Sequence, residues 1–270
     1  MTPAGSAPLL LALDVANRQT AIALFAGDRQ FQVWRLASDP RRTADDLGLQ
    51  LDALLGRAGV APAALAGIVI GSVVVSLTTT LVEACTRYLG HTPLVVGPGV
   101  RTGLSIRTEN PREVGPDRVA NAIAAFRRYG GPAIVVDCST AITFDAIAGT
   151  GDYVGSVIAP GVEMAIDGLV RQTTRLHEVE LSRPAHVIGG STAAAVQSGI
   201  VYGLGAMVDG IVERMQAELA GEAKVIATGP SADLIASGSQ TIDAIDACLT
   251  LRGLCLIWET HMRRRKEAVS

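Results

Sequence analysis

One pattern occurs twice in this chain and limits what it folds into. An unbroken apolar run ends in an aspartate, passes through a short polar turn and returns as a second apolar run. The first copy is residues 9–14, ending in Asp14, then the turn Ala16-Asn17-Arg18-Gln19 and residues 20–25. The second is residues 133–137, ending in Asp137, then Cys138-Ser139-Thr140 and residues 141–147. Short continuous apolar runs bounded by turn residues predict strands covered on both faces. A third strand follows a glycine-containing turn in each copy, at residues 31–36 and 153–158. The pattern predicts a strand-strand-strand-helix-strand-helix unit present twice, with Asp14 and Asp137 at strand ends on opposite walls of one cleft.

The intervening segments supply the rest of the units. Residues 43–55 carry Ala44, Leu47, Leu51, Leu54 and Leu55 at helical spacing behind Thr43, an N-cap residue with two aspartates in the following turn. Residues 67–75 and 92–96 read as strands around a helix at 78–89. Helices are expected at 119–129, 192–219 and 247–259, with a strand at 224–228. Gly130-Gly131-Pro132 marks the expected lobe boundary, giving lobes 1–130 and 131–270.

Composition excludes several classes. Hydrophobic residues at 49%, charged residues at 18% and a mean hydropathy of +0.34 suit covered strands and argue against disorder. A net charge of -3 gives no reason to expect a nucleic-acid or membrane partner. The cluster Arg263-Arg264-Arg265-Lys266 follows a helical stretch, where positive charge complements the helix dipole. Residues 1–6 lack the features of a leader and no apolar run reaches the roughly 20 residues of a membrane span, so a cytoplasmic protein is expected. Cys85, Cys138, Cys248 and Cys255 form no CxxC pair and sit in apolar runs, which predicts buried thiols. His91, His177, His186 and His261 share no metal-ligand spacing.

Four constellations can carry chemistry. The turn after Asp14 offers backbone N–H groups, Asn17 and Arg18 to phosphate oxygens, and Asp14 itself can hold Mg²⁺ directly or through water. By itself the stretch reads more simply as a hairpin turn whose Asp and Asn bond their own backbone. In residues 110–118, Pro116 fits the first position of a helix and Asp117 its first turn, beside Arg118. Positive helix end and arginine together favour an ionised Asp117, able to take the proton of an attacking hydroxyl, or able only to complement the dipole. The third is Asp137 with Thr140, followed by Gly155-Ser156 and Ala159-Pro160-Gly161, and the fourth is Thr228-Gly229-Pro230; their small residues permit close approach of a nucleotide, or make turns and nothing more.

Taken in order, these stretches resemble the type III pantothenate kinases of the acetate and sugar kinase, Hsp70 and actin superfamily. The resemblance runs over nearly the whole chain. It includes Asp14 with Asn17, residues 96–104, residues 110–118 with Asn121, Asp137 with Thr140, Arg183-Pro184 with Gly189 and Thr192, Gln197-Ser198-Gly199, Thr228-Gly229, and residues 249–254 with Gly253. It implies an α/β fold of two duplicated ribonuclease-H-like lobes with an active-site cleft between them. The implied reaction is ATP-dependent phosphorylation of the terminal hydroxyl of pantothenate, the first step toward coenzyme A, by a homodimer.

By the same resemblance Asp117 is the catalytic base, and Gly115, Asp117, Arg118, Thr108 and Thr192 meet the substrate, Thr192 from a neighbouring subunit. Asp14, Asn17, Arg18 and Thr140 meet the nucleotide, Asp14 serving Mg²⁺ as well. Asp137 matches a monovalent-cation site for K⁺ or NH₄⁺. The chain departs from the family pattern at Ala16, Ser139, Ser156 and Pro230, each in place of glycine, at Arg18 in place of threonine, at Pro116 in place of alanine and at Thr108 in place of tyrosine. A Cβ at a turn that needs φ > 0 carries strain and narrows the approach of a nucleotide. Two other readings therefore stand beside the first: a non-catalytic binding or regulatory relative, and a kinase for a related small hydroxyl compound.

Overall fold

The computed structural model describes residues 8–172, 179–219 and 221–267; His177 and the side chain of Lys266 lie outside them. The uninterrupted apolar run that opens the chain becomes β1 (Leu9–Val15), buried at every position but Asp14. It pairs antiparallel with β2 (Gln19–Ala26) and parallel with β4 (Leu65–Ser72), while β3 (Arg29–Ala37) and β5 (Leu94–Val95) form the edges, in the order β3-β2-β1-β4-β5.

Helix α1 (Ala44–Arg57) starts at a capping box: Thr43 Oγ1 accepts from the Asp46 N–H and Asp46 Oδ2 accepts from the Thr43 N–H. Its Leu47, Leu51 and Leu55 join Leu11, Leu13, Ile22 and Leu24 in one core, with Leu77, Leu81 and Cys85 of α2 (Val75–Leu89). Residues 73–75, expected as strand, are not. Ser72 Oγ accepts from the Val74 N–H and from Thr78 Oγ1, which winds the chain into α2 and leaves Val75 83% exposed.

The second sheet repeats the first. β6 (Ala133–Cys138) pairs antiparallel with β7 (Ala141–Ile147) and parallel with β9 (Lys224–Thr228); β8 (Tyr153–Pro160) and β10 (Ala244–Ile245) are the edges. The order β10-β9-β6-β7-β8, read backwards, is that of the first sheet. Helices α4 (Val162–Gln172) and α6 (Ala232–Ala236), together with β10, go beyond the sequence expectation. Helix α5 (Thr192–Glu218) is long and apolar enough by composition to cross a bilayer; 33% of its apolar window is buried, and its Ile200, Val208 and Val212 pack with Ile134, Phe144 and Val225.

Two helices complete the chain, α3 (Pro116–Tyr129) and α7 (Leu249–Glu267). The first unit holds the chain up to Gly103, then Arg112–Ala124 and the part from Thr250 onward; the second holds Leu104–Pro111 and Ala125–Leu249. The sequence reading sets one boundary at 130/131, whereas the structural division falls inside α3 and returns α7 to the first unit. Bare backbone explains the return: Gly67 and Gly71 of β4 leave the space filled by Trp258 and Leu254.

Candidate functional site

In the first unit, Asp14 is the penultimate residue of β1, in register with Ala21 of β2 and Gly71 of β4. The Asn17 and Arg18 side chains are exposed on the turn that follows. That turn is closed by the Ala16 N–H on the Gln19 carbonyl (3.1 Å) and anchored by the Ser38 N–H on the Arg18 carbonyl (2.9 Å). Val73, just beyond β4, donates its N–H to the Val15 carbonyl (3.1 Å). Its Cγ1 lies 3.9 Å from where a Cβ on Gly115 would stand. The turn carrying Gly115 and Asp117 thus meets the same C-terminal ends of parallel strands as Asp14, where open α/β sheets bind ligands.

Gly115 caps α3, its carbonyl accepting from the Val119 N–H at 3.0 Å. A side chain at Gly115 would overlap Asp117 Oδ1, so the carboxyl occupies the space that the missing Cβ vacates. Asp117 Oδ1 is buried with no hydrogen-bond donor, although the residue as a whole is half-buried. Burial is the largest influence on this acid and raises its pKa; the backbone N–H groups of Arg118 and Asp117 and the Arg118 charge act the other way. The sequence reading rests on the helix end and on Arg118 alone, so desolvation is the addition, and its sign is opposite. A raised pKa makes the carboxylate a better proton acceptor.

In the second unit, Asp137 is the penultimate residue of β6, 9% exposed, in register with Thr143 of β7 and Thr228 of β9. Gly229 follows β9 with φ +91°, and a Cβ there would stand 2.7 Å from Asp137 Oδ1. Only glycine meets both conditions. The Ser231 N–H donates to the Cys138 carbonyl (3.0 Å), the counterpart of the Val73–Val15 bond. Thr140 sits half-buried in the β6–β7 turn, and Gly161 approaches so closely that a Cβ would overlap the Thr140 carbonyl.

Thr192 is exposed at the start of α5, behind Ser191, whose hydroxyl accepts from the Ala194 N–H. Thr108, grouped by the sequence with Gly115 and Asp117, belongs to the second unit; its Oγ1 is buried without a hydrogen-bond partner. Beside it, the Arg107 N–H donates to the Tyr153 carbonyl (2.8 Å).

The substituted turns carry no left-handed strain. Among the described residues no residue other than glycine has positive φ, so Ala16, Ser139, Ser156 and Pro230 all adopt ordinary backbone, and Gly229 keeps the one strained place beside Asp137. The sequence signal for a damaged nucleotide site loses its backbone argument.

Comparison with known proteins places this geometry. The family model for type III pantothenate kinase matches residues 10–214. The type III pantothenate kinase of Moorella thermoacetica is 49% identical over 94% of this chain and 100% of its own length.

The chain belongs to the type III pantothenate kinase family.

Solved structures agree on the fold. A putative Baf family transcriptional activator from Campylobacter jejuni superposes with TM-score 0.57 at 18% identity, over 94% of this chain and 99% of its own. The ROK hexokinase of Thermus thermophilus does so with TM-score 0.52 at 12% identity, over 95% of this chain and 99% of its own. This type III pantothenate kinase family member therefore has the acetate and sugar kinase, Hsp70 and actin fold. Among the described residues of the family member, Cys85, Cys138 and Cys255 are buried thiols, as expected, and Cys248 is half-buried.

Proposed function

We propose that the protein transfers the γ-phosphoryl group of ATP to the terminal hydroxyl of pantothenate. The observation that carries the reading is the buried Asp117 Oδ1, an acceptor without a donor at the first turn of α3. In the reaction Asp117 takes the hydroxyl proton, the hydroxyl oxygen forms a bond to the γ-phosphorus, and the bond between that phosphorus and the β–γ bridging oxygen breaks to release ADP. Gly115 gives the carboxyl its space, Arg118, Thr108 and Thr192 fix the substrate, and Asn17, Arg18 and Thr140 hold the nucleotide.

The residues fit the two cations that such chemistry uses. No group of three or more His, Cys, Asp or Glu able to cage a metal occurs among the described residues. Mg²⁺ bound by one carboxylate plus substrate phosphates needs no cage, and Asp14 at the end of β1 supplies that carboxylate. Asp137, buried at the end of β6, is the ligand for K⁺ or NH₄⁺. These ions would neutralise phosphate charge when bound.

A homodimer is part of the same reading. Edge strand β8 and helix α4 expose the apolar Ile158 (64%), Met164 (51%) and Leu169 (40%), side chains that a second copy would cover. Thr192 would then serve the partner's pocket. Work in the cytoplasm belongs to the same reading.

Purified protein with ATP, Mg²⁺, K⁺ and pantothenate should release ADP and form phosphorylated pantothenate. A wild-type rate no higher than that of Asp117→Asn overturns the proposal.

A further inference from the structure

Helices α3 and α7 meet through a buried side-chain hydrogen bond and a close backbone contact. Thr250 Oγ1 donates a 2.8 Å hydrogen bond to Asn121 Oδ1, and Asn121 is fully buried while Thr250 is 8% exposed. One turn along α7, a Cβ on Gly253 would overlap the Ala120 carbonyl oxygen, so the two backbones touch. Asn121 follows Asp117 by four residues and therefore lies on the same face of α3, one turn further in.

Apolar packing resists separation of two helices but not small sliding or rotation. A directional hydrogen bond fixes rotation, and a backbone stop fixes depth. We infer that the Thr250–Asn121 bond and the Gly253–Ala120 contact together position Asp117, by setting the rotation and depth of the first turns of α3 beside Gly115. Thr250 and Asn121 are positioning residues: they act through α3 and touch no substrate. The kinetic consequence rests on the pantothenate kinase reading; the structural one does not.

Thr250→Val removes the donor and keeps the shape. It should lower kcat about tenfold, as a small misplacement of a catalytic group does, with KM for ATP unchanged; Thr250→Ser should restore kcat. A Thr250→Val enzyme with wild-type kcat overturns the inference.

A second measurement needs no turnover. Asp117→Asn should raise the melting temperature at pH 8 relative to pH 5, because Asp117 is desolvated. That gain should shrink in the Thr250→Val background, where water reaches the loosened carboxyl, the nearby Arg118 charge being the same in both backgrounds. An unchanged gain overturns the inference whether or not the wild type phosphorylates pantothenate, while absence of wild-type turnover alone overturns only the proposed function. Should the valine variant not fold, Thr250→Ala takes its place in both measurements.

Discussion

Asp14 and Asp137 hold the same place in two copies of one sheet: each is the penultimate residue of the first strand, flanked by an antiparallel second strand and a parallel fourth. The bond that fastens the following loop is repeated too, Val73 to Val15 in one unit and Ser231 to Cys138 in the other. Their surroundings have diverged. Asp14 opens onto an exposed turn with Asn17 and Arg18, whereas Asp137 is buried against Gly229. The same scaffold leaves one carboxylate half-buried beside an exposed turn and encloses the other.

The divergence predicts different losses. Asp137→Asn should abolish the stimulation of turnover by K⁺ over Li⁺ while leaving the Mg²⁺ requirement in place. Asp14→Asn should raise the Mg²⁺ concentration needed for half-maximal rate. Rates measured across a K⁺ series and a Mg²⁺ series check both, and exchanged phenotypes would reverse the assignment of the two carboxylates.

Asp117→Asn is expected to lower kcat by about 10²–10⁴-fold, the usual contribution of a general base. It is also expected to stabilise the protein. Burial raises the folded-state pKa, so the wild-type acid favours folding most when protonated, below its unfolded pKa of about 3.9, and loses that contribution as pH rises through the folded value. The asparagine variant should therefore gain in melting temperature relative to wild type from pH 4 upward, most at pH 8. A variant that is less stable than wild type at pH 8 would argue that Asp117 is not desolvated.

Much of this was legible in the chain because the strongest signals are local. Apolar runs at residues 9–14 and 133–137 set the two central strands, and Thr43 with two aspartates behind it announced the start of α1, where the capping box the structure shows spans only four consecutive residues. Pro116 likewise marked the first turn of α3. The missing pieces depend on contacts far apart in sequence. Nothing near Thr250 reveals that it meets Asn121, 129 residues earlier, and nothing near Gly115 reveals that its absent Cβ makes room for a carboxylate. The short α6 and β10 carry too few residues to show a period. The same limit made glycine loss at Ala16, Ser139 and Pro230 look costly, since φ is set by the closed turn and not by residue type alone.

Buried polar pairs of the second unit bear on stability. Tyr153 Oη donates a 2.7 Å hydrogen bond to Asp145 Oδ1, and both side chains are fully buried. Tyr153→Phe keeps the ring and deletes the donor, so it should destabilise by about 1–3 kcal/mol, the cost of a lost bond to a buried charged or polar acceptor. Urea denaturation provides the measurement. A change below about 0.5 kcal/mol would mean that Asp145 is satisfied by its other contacts.

Asp209, on α5, collects the turn that leads into β10. Its carboxylate accepts from the Gln240 and Thr241 N–H groups at 3.0 Å, from Thr241 Oγ1 at 2.8 Å and from Ser239 Oγ. Desolvation, the largest single influence, raises its pKa, but the bonds from Ser239, Thr241 and Gln240 together outweigh it and the net shift is downward. A lowered folded pKa stabilises the protein above the unfolded value of about 3.9, and that stabilisation is lost as pH falls through the folded value. Asp209→Asn keeps one acceptor oxygen but gives up the charge, so it should cost about 1–2 kcal/mol at pH 7. The difference from wild type should close as pH falls below about 4. Because β10 is the sheet edge and pairs only with β9 among the described residues, hydrogen exchange at residues 239–245 should rise in the variant before exchange in β6 does. Equal exchange in both segments would show that Asp209 secures the whole unit and not this turn alone.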